Sequence, residues 1–366
     1  MLIHVPPHAC VLAMDVHANT ISAGVLEPGW ESPVVDKISA DDESVRRLLG
    51  RFEERGRVWA CYEAGPTGYE LARLLRSSGM RCEVIAPSLI PTAPGQRVKT
   101  DQRDARRLAL LFRAGQLSAV RVPAPAEEAV RDLCRARADM VIDRTRARHR
   151  LGKFLLRHGR VWRGGDNWTL RHEAWIRAQR FDERALTETF AHYLATLEAR
   201  EAAVEAIEAD LMPWCGRAPF AAGVRRLAAY RGITDLGALT LCSEVCDWRR
   251  FPLASMFMGF TGLVPSEHSS GERVSRGGIT HAGNIHLRTQ LVESAWAYKS
   301  RPQLGATIKK RQEGLDPAVV ARAWAAQLRL CGKFRRLDAR KTNRKVVVTA
   351  IARELAGFVW AEMARN

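Results

Sequence analysis

The sequence predicts an α/β domain at the N-terminus, a helical middle and a mostly α-helical C-terminal region. Three patterns carry this expectation. Short β-like apolar runs alternate with amphipathic stretches between residues 11 and 113. An arginine-rich stretch then leads into an apolar heptad, and the rest of the chain reads as helices broken by one polar, glycine-rich segment. The expected division is 1–125, 126–215 and 216–366.

Taken in order, VLAMDV at 11–16 is an apolar run that reaches an acid, Asp15. TISAGVLEPG and SPVVDKIS follow as further strands of a meander. DDESVRRLLGRFEER opens on acids and carries apolar residues at 45, 48, 49 and 52, the spacing of an amphipathic helix. VWACYEA is a strand that again meets an acid, Glu63, before the turn Gly65-Pro66-Thr67-Gly68. YELARLLRSSG is helical, RCEVIAP is a strand, and KTDQRDARRLALLFRAG is a helix that opens with Asp101 and Asp104.

The four acids point to one chemistry when taken together. Strand ends are where α/β sheets carry their sites, and a spacing of three puts Asp101 and Asp104 on one helical face. Singly, each helix-start acid reads as a cap or a partner of the helix dipole. Four carboxylates around one point repel unless a divalent cation lies between them. Hard oxygen ligands select Mg²⁺ or Mn²⁺, a set suited to in-line phosphodiester chemistry.

Charge narrows the partners. With 57 Lys plus Arg against 40 Asp plus Glu, the net charge is +17. Nucleic acid is the first expected partner and an anionic membrane surface the second. A hydrophobic content of 46% excludes general disorder. No apolar run approaches the roughly 18 residues of a membrane helix, and MLIHVPPHAC lacks the pattern of a signal peptide. A soluble cytoplasmic protein is expected. The eight cysteines include no CxxC pair, and Cys242 and Cys246 have no histidine at ligand spacing, so a structural zinc site is not indicated.

Residues 131–163 hold eleven Lys or Arg, among them Arg144, Arg148, Arg150 and Lys153, and few balancing acids, so a phosphate-tracking helix is expected rather than a merely solvated face. In 183–211, Phe190, Leu197, Val204 and Leu211 stand seven apart. Leu186, Tyr193 and Ile207 fill companion positions and Arg200 breaks the set. An antiparallel hairpin within the chain and a dimerising coiled coil both fit. Further on, RRLAAYRGITDLGALTLCSEV reads as helix, glycine turn, helix. FTGLVPSEHSSGERVSRGGITHAGN is the glycine-rich stretch, and NIHLRTQLVESAWAYK resumes a helix carrying Arg288. GKFRRLDARKTNRK, with Arg335 and Arg336, is a second candidate phosphate contact before the apolar helix VVVTAIARELAGFVWAEM. No GxSxG motif is present, so residue chemistry alone makes Ser270 a turn residue.

Four segments, MDVHANTISAGVLE, YEAGPTGYELARLL, APSLIPTAPGQRVKTDQRDARRLALLFRAG and GFTGLVPSEHSSGERVSRGGITHAGNIHLR, together closely resemble one family. It comprises the insertion-sequence transposases with an N-terminal DEDD domain and a C-terminal serine domain, relatives of the Piv-type DNA invertases. The resemblance implies a RuvC-like, RNase H-class fold for the N-terminal domain. It also implies that Asp15, Glu63, Asp101 and Asp104 bind Mg²⁺ (or Mn²⁺) as catalytic residues. It makes Ser270, next to Ser269, a nucleophile that forms a phosphoserine link to DNA. Donor and target DNA, a structured guide (bridge) RNA that pairs with both, and assembly into homodimers and homotetramers at the nucleoid are implied as well. His281 stands where members often carry Lys. The expected function is thus an RNA-guided, site-specific DNA transposase or recombinase. The alternatives are a RuvC-like, metal-dependent, structure-specific nuclease without a serine intermediate, and a non-catalytic nucleic-acid-binding protein.

Overall fold

The computed structural model describes residues 3–91, 100–267, 275–340 and 343–364. The chain divides into two compact units after Pro123.

The first unit contains β1 (Cys10–Val16), β2 (Thr20–Leu26), β3 (Val34–Ser39), α1 (Asp42–Leu49), β4 (Val58–Glu63), α2 (Glu70–Ser77), β5 (Arg81–Ile85), α3 (Asp101–Arg113) and β6 (Ala119–Val120). The sheet order is β3-β2-β1-β4-β5-β6. β1, β2 and β3 are antiparallel neighbours, β4 runs parallel to β1, and β5 runs parallel to β4. Strand alternation sorts the side chains between two cores. Leu12, Met14, Ala60 and Tyr62 join Val45, Leu48 and Leu75 on one face. Val11, Ala13 and Cys61 join Leu108, Ala109 and Phe112 of α3 on the other. This mixed sheet with flanking helices is compatible with an RNase H-like fold.

Two local expectations change. The helix expected across DDESVRRLLGRFEER ends at Leu49, where Gly50 caps it, and only a single tight turn comes after it, at Arg55–Arg57. Glycine is a costly helix residue, and beyond it only the half-buried Phe52 remains to pack. β6 was not anticipated, because two residues are too few to show alternation.

The second unit contains α4 (Pro125–Arg157), α5 (Leu170–Arg177), α6 (Arg184–Cys215), α7 (Ala221–Ala228), α8 (Asp235–Val245), α9 (Ala254–Phe260), β7 (Pro265–Glu267), β8 (Arg276–Ile279), α10 (Ile285–Ala295), α11 (Ala306–Gln312), α12 (Pro317–Ala339) and α13 (Arg344–Met363). α4 and α6 form an antiparallel hairpin: Arg137 pairs with Glu208 and, further along α4, Arg148 pairs with Glu201. Phe190, Leu197, Val204 and Leu211 are all buried. At the far end Phe190 and Leu197 pack with Ala147, Leu151 and Phe154. At the near end Val130, Cys134, Ile207 and Leu211 merge into the core of the C-terminal helices. The heptad is therefore satisfied within the chain. The basic helix stops at Arg157, short of the expected 163. Gly159 (φ 73°) takes the left-handed position, with its N–H on Leu156 O and that of Arg160 on Leu155 O, the closing pair of a Schellman motif.

Candidate metal centre

Register brings the acids together. Cross-strand pairing runs Asp15 to Ser22 and Ser22 to Lys37, so these three residues form one row across β1, β2 and β3. Met14 pairs with Tyr62, which leaves Asp15 and Glu63 at adjacent strand ends. Both continue the rows of Ala13 and Cys61, the face that α3 covers. Gly24 on β2 lets α3 lie close: a Cβ there would sit 3.2 Å from the Ala105 carbonyl oxygen.

α3 delivers the other two acids. Its N-cap is Thr100, whose Oγ1 accepts from Arg103 N at 3.4 Å, while the Thr100 carbonyl accepts from Asp104 N at 2.9 Å. Capping therefore falls to Thr100, and the Asp101 carboxylate points elsewhere. It meets His17, whose Nε2 lies 3.6 Å from Asp101 Oδ1 and 3.3 Å from Asp15 Oδ2. Lys37 Nζ stands 3.6 Å from the other Asp101 oxygen. A cavity of about 180 Å³ is lined by Asp15, Glu63 and Asp104, with Met14, Pro87, Ile90, Arg107 and Leu108.

The electrostatics match a cation site. Burial raises the Asp15 carboxyl above its ordinary range; His17 opposes the shift, and the negative charges of Asp101 and Asp104 add to it. Like carboxylates held this close favour a bound cation or a shared proton. Asp15, His17 and Asp101, two oxygen donors and one imidazole nitrogen, could together hold a divalent ion. His17, Lys37 and Arg107 were missed in the sequence. The signal for His17 was its spacing of two from Asp15, just past the end of the strand. Arg107 stands three residues after Asp104, on the same helical face.

Ser270 and Ser269 lie outside the described residues; in the sequence they come after β7 and before β8, strands that pair with each other. Beside this hairpin a groove of about 750 Å³ is lined by Met258, Leu263, Ile279, His281, Lys333, Lys345 and Arg353 among others. His281 adopts φ 55°, a left-handed conformation that histidine enters more readily than most side chains. Among the basic residues, Arg150, Lys153, Arg335 and Arg336 are exposed and Arg144 is half-buried. Arg148 bonds Glu201 at 2.6 Å and stacks over Trp168, and Arg288 donates to the Thr261 carbonyl at 3.0 Å. The acids that seemed scarce around the basic helix come from α6 and α8, where Glu208, Glu201 and Glu244 take Arg137, Arg148 and Arg135.

Comparison with known proteins gives this arrangement its context. Residues 12–159 match the DEDD transposase family of the IS110 type, a stretch that begins within β1 and takes in the whole of α4. Residues 224–309 match the transposase family IS116/IS110/IS902. The chain is thus a transposase, an enzyme that processes DNA. More narrowly, it belongs to the IS110/IS116 family of insertion-sequence transposases. It is 45% identical to the putative transposase y4qE of Sinorhizobium fredii, over 96% of this chain and 87% of that one. It is 30% identical to the transposase for insertion sequence element IS1533 of Leptospira borgpetersenii, over 90% and 97% respectively. Membership favours transposition over the plain structure-specific nuclease. No helix among the described residues is long and apolar enough to cross a membrane.

Proposed function

We propose that this transposase is RNA-guided and site-specific, and that it joins DNA strands through a phosphoserine at Ser270. In this reading Asp15, Glu63, Asp101 and Asp104 hold Mg²⁺ or Mn²⁺ in a RuvC-like domain. One observation supports it above the others: Asp15, Glu63 and Asp104 line a single cavity, with Asp101 drawn toward Asp15 across His17.

The divalent ion, when bound, supplies positive charge to the phosphate oxygens as charge develops on them. The protein's own part is positional. Thr100 caps α3, so Asp101 and Asp104 are left to face the strand ends. Arg107, on the cavity wall, offers a cation to the DNA phosphate. The Ser270 hydroxyl attacks a DNA phosphate; a serine–phosphate ester forms as one DNA ester bond breaks, and the departing DNA oxygen takes up a proton. One ester replaces another, so strand exchange needs no nucleotide energy source, in keeping with a sequence that carries no GxxxxGK[ST] loop.

Donor DNA, target DNA and the structured RNA would lie along the exposed cations, Arg150, Lys153, Arg335 and Arg336, and the groove beside β7 and β8, where Lys345 and Arg353 stand with the paired Lys333 and Glu354. Dimers that pair into tetramers would bring two half-sites together. The functional division proposed is a catalytic domain to residue 125, a linking hairpin to 215 and a serine domain to 366.

The test is a trapping reaction with labelled donor and target DNA, the element's RNA and Mg²⁺, stopped in denaturant. A protein–DNA adduct should form, disappear in Ser270→Ala and persist in Ser269→Ala. Asp15→Ala, Glu63→Ala and Asp104→Ala should abolish cleavage while RNA binding continues. Cleavage without any adduct, indifferent to both serine changes, would leave a metal nuclease and remove the serine step.

A further inference from the structure

We infer that His17 is a metal ligand of this site, a nitrogen donor beside Asp15 and Asp101; the inference rests on the carboxylate-centre reading above. β1 ends at Val16 and His17 is the first residue beyond it, where its ring meets Asp15 and, from α3, Asp101. The His17 backbone is held by its own turn, with its N–H on Thr20 O at 2.9 Å. Lys37 takes one oxygen of Asp101 and leaves the other toward His17.

The distances are those of a surface ion pair and also fit a ligand set. One atom each from Asp15, His17 and Asp101 lies within 4.8 Å of the other two. Ligands about 2.1 Å from a common octahedral ion stand about 3 Å apart when adjacent and about 4.2 Å apart when opposite. The separations of 3.3 and 3.6 Å from Nε2 therefore need a contraction of only a few tenths of an ångström to close on one ion.

A nitrogen ligand changes which ion the site prefers. Carboxylate oxygens suit Mg²⁺ and Mn²⁺ alike, whereas imidazole favours transition-metal ions. The position between Asp15, His17 and Asp101 therefore selects Mn²⁺ over Mg²⁺, and His17 sets that selectivity.

The experiment uses the full chain and Mn²⁺ alone, read by pulsed electron paramagnetic resonance and by titration with Mg²⁺ as competitor. Bound Mn²⁺ should show coupling to an imidazole ¹⁴N. That coupling should vanish in His17→Ala and His17→Asn, with Mn²⁺ affinity down about tenfold or more and Mg²⁺ affinity in His17→Asn nearly unchanged. Mn²⁺ that binds without ¹⁴N coupling, or with coupling that survives His17→Ala, overturns the ligand role and leaves the carboxylate centre standing. Mn²⁺ binding that is absent, or untouched by Asp15→Asn, overturns the carboxylate centre and this inference with it.

Discussion

Glu362 on α13 has no exposed side-chain surface, yet it carries a charge shared by three partners. Arg322 Nε donates to one oxygen at 2.6 Å, Arg226 Nε to the other at 2.9 Å, and the Tyr230 hydroxyl joins at 3.0 Å. Burial alone would raise this carboxyl, but the bonds from Arg322, Arg226 and Tyr230 outweigh it and hold the group below its ordinary value of 4.5. A depressed folded-state value means that Glu362 stabilises the fold fully above about 4.5. That contribution is lost as pH falls through the lower folded value. Glu362→Gln should cost about 3–5 kcal/mol at pH 7, because two guanidinium groups then face a neutral amide. Urea midpoints taken down the acid range should show the difference between the two proteins shrinking; a constant difference would mean that packing, not charge, carries the effect. Nothing in the sequence around 362 announces this cluster, since its members lie at least 40 residues away along the chain. His17 is the opposite case. Its spacing from Asp15 was visible in MDVH, but its meaning needed Asp101 to arrive from a helix 84 residues later.

Elements explain why the acids were readable and parts of the basic helix were not. Strand alternation and the helical spacing of three are local rules, so Asp15, Glu63, Asp101 and Asp104 could be grouped from sequence. Their convergence depends on how closely α3 lies on β2, and Gly24 controls that approach. Gly24→Ala adds a methyl 3.2 Å from the Ala105 carbonyl, within a few tenths of an ångström of ordinary contact. Gly24→Val adds two further methyls beyond a Cβ that already stands 3.2 Å from the Ala105 carbonyl oxygen. Overpacking of this kind costs about 1–3 kcal/mol, and here it also lifts the start of α3 from the strand ends. The valine variant should therefore lose more divalent-ion affinity than its stability loss explains, while the alanine variant stays near the parent protein. Calorimetric titration beside thermal melting checks this; equal ion affinity in all three would show that α3 moves without carrying its acids.

Across the whole molecule, the net charge of +17 does not say which cations are open to nucleic acid. Arg135, Arg137 and Arg148 are bound to Glu244, Glu208 and Glu201, acids supplied from 53 to 109 residues downstream. A count of charge along 131–163 cannot see them. The pairs hold α4 against α6 and α8, while Arg150 and Lys153 on α4 and Arg335 and Arg336 on α12 are among the cations that stand exposed for phosphate. The two groups should separate by experiment. Each phosphate contact contributes about 0.9 to the slope of log affinity against log salt on duplex DNA and about 0.7 on single strands. Replacing Arg150 and Lys153 together by Ala should thus flatten the slope by about 1.4 to 1.8, with little change in melting temperature. Arg148→Ala should do the reverse: it breaks the Glu201 bond and uncovers Trp168, so it lowers the melting temperature and leaves the slope nearly intact. If Arg148→Ala instead flattens the slope and spares stability, its guanidinium leaves Glu201 when nucleic acid binds, and the hairpin's ion pairs become part of the binding surface.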